Sequence, residues 1–183
     1  KKWTIENLPR VIGGITKEAS KKTAEFYATI INADVIELSS VKAAEATKIM
    51  ENTFRDVNIA FVNEMAKSFD KAGIDIIEVI KGASTKPFAF MPHYPGAGVG
   101  GHCIAQDPYY MIERGRQLGF NHKFLSLARE LNNGMPNYTV ELLENELKKL
   151  KKAIKGAKVG ILGLAYKANV DDTRESPAFE VIN

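Results

Sequence analysis

The stretch VKAAEATKIMENTFRDVNIAFVNEMAKSFDKA, residues 41–72, contains neither proline nor glycine, and Phe54, Phe61, Val62, Met65, Phe69 and Ala72 recur in it at helical spacing. It predicts one helix roughly 45 Å long. A helix of that length needs a partner along it, from this chain or from a second copy. A second face carries Lys48, Asn52, Arg55 and Asn63, a polar, nitrogen-rich stripe. Asparagine is a poor interior helix residue, which singles out Asn52 as present for its side chain. Taken alone, the stripe also reads as a solvated face with nothing to bind.

On the N-terminal side, residues 9–13 read as a short buried strand. Gly13-Gly14 then leads into a helix capped by Thr16 and running to about Ile31, and residues 33–38 read as a second strand. Strand, helix and strand in so short a span predict a parallel βαβ unit, too small to stand alone and therefore the tail of a larger domain. On the C-terminal side, Gly73 ends the long helix, Asp75 opens a short one to about Lys81, and a loop with Pro87, Phe88, Phe90 and Pro92 follows. Further helices are expected over Pro108 to about Leu118 and over Lys123 to Lys152, the latter broken near Gly134-Met135-Pro136. Residues 158–163 read as an apolar strand, followed by a loop and a helix opening at Ser176-Pro177. The chain begins on Lys1-Lys2 and stops at Asn183 inside an expected helix, so it reads as a piece of a longer protein.

Composition narrows the classes. At 45% hydrophobic and 26% charged residues the chain can bury a core. One cysteine excludes an internal disulfide, and with three histidines it argues against a structural zinc site, so no metal is expected and a reducing, cytoplasmic setting is. A net charge of +3 is too small to indicate nucleic acid. The densest basic run, Lys148, Lys149, Lys151, Lys152 and Lys155, sits at a predicted helix end, where cations complement the dipole. No stretch reaches the ~18 apolar residues of a membrane span.

The chemistry-bearing stretch is YPGAGVGGHCIAQDP, residues 94–108. It sets the single cysteine, Cys103, after four glycines and before Asp107-Pro108, which reads as an N-cap with proline at the first helical position. Glycines let backbone amides approach a ligand, and a helix N-terminus favours thiolate over thiol, so Cys103 is a candidate nucleophile. The competing reading is an inert buried cysteine. Gly96 to Gly101 also imitates the dinucleotide fingerprint G-x-G-x-x-G. That reading is rejected because prolines precede the run where a strand is required and His-Cys-Ile-Ala-Gln-Asp separates it from the next helix. Asp107 carries two compatible readings, cap and acid/base group, and Lys48 reads as a solvated lysine or as a cation that stabilises an oxyanion. A Cys-His hydrolase is a weaker alternative: His93, His102 and His122 are available, but His102 is adjacent to Cys103 and its side chain should diverge.

These residues resemble the nucleotide-sugar 6-dehydrogenases, the UDP-glucose and GDP-mannose dehydrogenase family, over essentially the whole chain. Gly-Val-Gly-Gly-His-Cys-Ile-x-x-Asp-Pro-Tyr-Tyr at 98–110 is similar to the branch acting on UDP-N-acetylhexosamines. The resemblance implies a mainly α fold: a central all-α, 6-phosphogluconate-dehydrogenase-like dimerisation domain flanked by partial Rossmann-type α/β pieces. The divisions are 1–38 as remnant of the NAD-binding domain, 39–153 as the helical domain and 154–183 as the start of a UDP-binding domain. It implies an NAD-dependent, four-electron oxidation of the C6 hydroxyl of UDP-N-acetylmannosamine, with UDP-N-acetylglucosamine as the alternative. Cys103 would be the nucleophile, close to the cofactor; Lys48 and Asn52, matching Lys-x-x-x-Asn, would hold the sugar and the oxyanion, and Asp107 would handle protons.

Arg55, Tyr94, Gly98, Gly100, Tyr166 and Lys167 would contact substrate, Arg174 would contact NAD, and helix 41–72 would make a homodimer. The segment holding the true dinucleotide glycines and an acid/base glutamate is not in this sequence, so the chain alone is expected to be inactive. Where bacterial relatives carry His and Arg before the glycine loop, this chain has Lys86 and Phe88. A different class, a non-catalytic helical dimerisation module, is the remaining alternative.

Overall fold

The computed structural model describes residues 3–183, so Lys1 and Lys2, with which the expected N-terminal piece opens, lie outside the described residues. Strand β1 (Arg10–Ile12) pairs in parallel with β2 (Val35–Glu37), Arg10 beside Val35 and Ile12 beside Glu37. Helix α1 (Lys17–Ala28) joins them. Thr16 Oγ1 accepts from the Ala19 amide at 3.1 Å, a cap that stabilises a helix by about 1 kcal/mol. α1 stops short of Ile31 because Thr29 turns its hydroxyl back onto the Phe26 carbonyl at 2.7 Å. Ile12 and Ile31 are the buried apolar side chains of this part.

Helix α2 spans Val41–Ala72, as its periodicity predicts, and Gly73 follows it at φ 69. The chain divides into two compact units, up to Glu51 and from Asn52 to Asn183, so α2 contributes to both. The second unit is helical: α3 (Ile76–Ala83), α4 (His102–Gln117), α5 (Lys123–Asn133), α6 (Met135–Lys149) and α7 (Ala178–Ile182). Asp75 caps α3, its Oδ1 accepting from the Ile77 amide at 2.8 Å. The expected break at residues 134–136 is the α5–α6 junction, with Pro136 at the start of α6, where its missing N–H costs nothing. Ser176 Oγ meets the Ala178 amide at the start of α7. The described residues are mainly α-helical with one small parallel sheet. Among the described residues no helix is long and apolar enough to cross a membrane.

Three sequence expectations are corrected. The helix bearing Pro108 begins at His102, not at Pro108, so Asp107 is an interior residue and caps nothing. Gly101 sits at φ 78, which turns the chain directly into α4, and Pro108, inside the helix, leaves the Ile104 carbonyl without its usual partner but buries its ring completely. Residues 158–163 form no strand: a strand needs a neighbouring backbone, and the two described strands pair with each other in the first unit. Leu162 is accordingly 99% exposed.

Third, the polar stripe of α2 is a solvated face only at Lys48, and beyond it the stripe turns inward. Asn52, Asp56 and Asn63 are completely buried, whereas Phe54 and Phe61, expected on the apolar face, remain exposed. Ala60, Val62, Ile80, Ala105, Ala128 and Met135 supply the small apolar core around those polar groups.

Candidate active site

Cys103 is exposed in the first turn of α4, where backbone N–H groups have no helical acceptor and the helix end favours anions. It lines a pocket of about 390 Å³ with His102, Gln106, Asp107, Tyr110 and Glu175. Cys103 and Asp107 stand one turn apart on one helix and share this pocket. Asn52, from α2, donates through Nδ2 to Asp107 Oδ2 at 2.5 Å, and its own Oδ1 accepts from Arg55 Nη2. One buried amide therefore holds both a pocket carboxylate and an arginine, and cannot turn without losing both.

The C-terminal segment covers the glycine run. The Gly101 amide donates to the Arg174 carbonyl at 3.2 Å. A Cβ on Gly100 would come within 2.6 Å of Tyr166 Cβ and 2.7 Å of the Glu175 carbonyl, and one on Gly101 would come within 2.7 Å of the Tyr166 ring. Glycine is required here by the chain's own close approach. The fingerprint reading therefore fails on two grounds: no strand precedes the run, and protein occupies the space its glycines open. The earlier ground, separation from the next helix, does not hold, since α4 opens directly after Gly101. No dinucleotide cradle is found among the described residues.

Of the other expected residues, Gly98 lines an adjacent pocket with Gln106, Asn132 and Pro177, while Tyr94 is 56% exposed in the loop before it. Lys167 is exposed. Lys48 belongs to the first unit, where its Nζ lies 3.5 Å from Glu51. Arg174 is ion-paired with Asp172 at 2.6 Å. Hydrogen bonds from that guanidinium hold the Asp172 carboxyl at about 2, below the ordinary aspartate range. With the folded value depressed, this pair's contribution to stability is present above the unfolded value and lost as pH falls through about 2. Following the Asp172 carboxyl carbon by NMR should give a midpoint of about 2, rising toward ~3.9 in Arg174→Gln; a midpoint near ~3.9 in the unaltered chain would contradict the pairing.

Several residues of the site carry no sequence expectation. Glu175 reaches the Cys103 pocket from a left-handed backbone, φ 51, which a non-glycine residue adopts at a cost. Asp56, Arg129 and Asn132 form a buried cluster beneath the glycine run: Arg129 Nη1 lies 2.6 Å from Asp56 Oδ1, which also accepts from Asn132 Nδ2 at 2.8 Å. Burial pushes the Asp56 carboxyl up more than Arg129 pulls it down, and its Oδ2 has no partner among the described residues. The available signal was the spacing of Asp56, one turn after Asn52, and of Arg129 and Asn132, three apart on one helix face.

Fold and site together define a helical unit that carries an open cysteine pocket, with a C-terminal segment packed over its glycine run. A family model described as the central domain of the UDP-glucose/GDP-mannose dehydrogenase family matches residues 42–134, and one described as that family's UDP binding domain matches 160–183. The chain belongs to the UDP-glucose/GDP-mannose dehydrogenase family. It is 44% identical over 184 aligned residues to UDP-N-acetyl-D-mannosamine dehydrogenase of Methanocaldococcus jannaschii, an alignment covering all of this chain and 40% of that protein. It is 38% identical to UDP-N-acetyl-D-glucosamine 6-dehydrogenase of Pseudomonas aeruginosa, again over all of this chain and 43% of that protein. The solved structure of UDP-D-ManNAc dehydrogenase from Pyrococcus horikoshii superposes with a TM-score of 0.90 at 36% identity, over 97% of this chain and 41% of that one. The chain thus spans about two fifths of the length of these relatives.

Proposed function

We propose that this chain is the catalytic-cysteine portion of an enzyme that oxidises the C6 hydroxyl of UDP-N-acetylmannosamine to the uronate, a four-electron reaction with NAD as hydride acceptor. The observation that carries the reading is the shared pocket: Cys103 and Asp107 line it together, and Asp107 is held there by Asn52. In this reading residues 1–38 end the NAD-binding domain, 39–153 form the dimerisation domain through helix 41–72, and 154–183 begin the UDP-binding domain. Lys48 and Asn52 hold the sugar and its oxyanion, Arg55, Tyr94, Gly98, Gly100, Tyr166 and Lys167 contact substrate, and Arg174 contacts the cofactor.

Two NAD, bound in turn, would each take up one hydride; the described residues offer no cradle for the cofactor, so the steps assigned here are those of the chain's own groups. Cys103 Sγ adds to the C6 aldehyde carbon, forming the C–S bond and leaving the carbonyl electron pair on oxygen as an alkoxide. At the thioester stage, water adds at the same carbon, the C–S bond breaks with its pair returning to sulfur, and Asp107 takes the water proton. Asn52 holds the Asp107 carboxylate in the pocket that the sulfur shares. The identity to a UDP-N-acetyl-D-glucosamine 6-dehydrogenase supports that sugar as the second substrate reading.

The test is replacement of the matching stretch of the M. jannaschii relative by residues 1–183, with NADH formation followed on both UDP-sugars. Turnover of UDP-N-acetylmannosamine is expected. Faster turnover of UDP-N-acetylglucosamine would shift the assignment to the second sugar, and a folded chimera inert on both would overturn the proposal.

A further inference from the structure

We infer that Arg129, Asp56, Asn132 and Asn63 are positioning residues: a buried relay that fixes the start of the glycine loop, and through it the surroundings of Cys103. The inference rests on the reading of Cys103 as nucleophile only for its consequence, not for its geometry. Four residues from α2 and α5 are involved, each 4% exposed or less. Arg129 Nη1 donates to Asp56 Oδ1 at 2.6 Å. Asn132 Nδ2 donates to the same oxygen at 2.8 Å and to the Asp56 carbonyl at 3.0 Å. Asn63 Nδ2 donates to Asn132 Oδ1 at 2.9 Å, and Asn63 Oδ1 accepts from the Gly96 amide at 3.0 Å.

The order of donors and acceptors is forced from one end. A guanidinium can only donate and an ionised carboxylate can only accept, so Asp56 beside Arg129 presents acceptors to whatever follows. Asn132 must turn its NH₂ toward Asp56, which leaves its oxygen for Asn63. Asn63 must then turn its NH₂ toward Asn132, which leaves its oxygen for the loop. Reversing either amide would set donor against donor or acceptor against acceptor at each joint, in a place without water to compensate. The ion pair therefore specifies, two side chains away, that an acceptor awaits the Gly96 N–H.

Gly96 opens the run that ends at Gly101 and turns into α4 with Cys103 in its first turn. A Cβ at Gly96 would meet only the Gly98 carbonyl, at 3.8 Å, so side-chain crowding does not hold this end of the loop. Arg129 also bonds one turn further along its own helix: its Nη2 donates to Asn133 Oδ1 at 2.6 Å, and Asn133 Nδ2 donates to the Tyr109 hydroxyl on α4 at 2.9 Å. One guanidinium is thereby tied both to the loop before Cys103 and to the helix that carries it.

The experiment is residue-resolved amide hydrogen exchange on the 183-residue chain, with amides of α3 as internal reference, alongside the rate of Cys103 alkylation by iodoacetamide. Asn132→Leu, which touches neither Gly96 nor Cys103, is expected to speed Gly96 exchange by ~10-fold or more, approaching the effect of Asn63→Leu, and to change the alkylation rate. A purely structural role would raise exchange at Gly96 and in α3 together. Gly96 exchange within ~2-fold of the unaltered chain in folded Asn132→Leu overturns the relay, and an unchanged alkylation rate overturns its link to Cys103. If Asn132→Leu does not fold, the unaltered chain decides: a Gly96 amide exchanging as fast as unbonded loop amides overturns the inference. Neither readout needs sugar or NAD, so failure here is distinct from failure of the proposed reaction.

Discussion

Cys103→Ser, placed in the chimera with the M. jannaschii relative, is expected to lower turnover of UDP-N-acetylmannosamine by more than ~10³ with little change in KM. The substitution exchanges one atom on an exposed side chain in the first turn of α4, so neither packing nor the pocket's shape should change. What changes is nucleophilicity. Sulfur is intrinsically the stronger nucleophile toward an aldehyde carbon, whereas an alcohol needs a strong base to attack it. Loss of less than ~10-fold would remove Cys103 from the covalent role and leave the pocket a binding site only. Mass spectrometry on the slowed variant supplies a second check, since no sugar should be found esterified at residue 103.

Arg129→Met should destabilise the chain by about 3–5 kcal/mol, the range for removing one partner of a buried ion pair. Side chains at Arg129 and Asp56 are 5% and 1% exposed, so the carboxylate left behind has no water to turn to. Its hydrogen bond from Asn132 remains, but the charge does not, and the carboxyl, already pushed up by burial, would move further in the same direction. Because its folded value is raised, the sign is the reverse of the Asp172 case: stability is fully present below the unfolded value and declines as pH rises through the folded one. The double variant Asp56→Leu/Arg129→Met should recover much of the loss, because no charge is left buried. Urea unfolding of both variants measures this. A single-variant cost below about 1 kcal/mol would show that the pair is hydrated in solution and not buried as the structure has it.

Much of the chain's local structure was legible as periodicity and punctuation. The long helix was bounded correctly at Val41 and Ala72 because nothing inside interrupts it and Gly73 stops it. Thr16 and Asp75 capped helices as read, since capping is a contact within three residues. Pro136 marked the α5–α6 break for the same reason. Asp107-Pro108 misled because it satisfies the rule for a helix start equally well inside a helix whose real start is a left-handed glycine. Residues 158–163 misled because an apolar β-prone run becomes a strand only beside another one.

The site was legible in its membership more than in its contacts. Cys103, Asn52 and Asp107 stood out by type and neighbourhood, but only α2 packing against α4 brings an amide at 52 onto a carboxylate at 107. Sequence spacing determined that Lys48, Asn52 and Asn63 lie near one helix face and that Cys103 lies among glycines before a helical stretch. Whether that face met water or protein was decided by tertiary structure alone, since periodicity reports which residues share a face and not what faces them. Arg129 and Asn132, more than sixty positions from their partners on α2, were invisible for that reason. Local rules set helices and caps because their energies are exchanged within a turn; the buried relay beneath the glycine loop exists only once two helices distant in sequence exclude water between them.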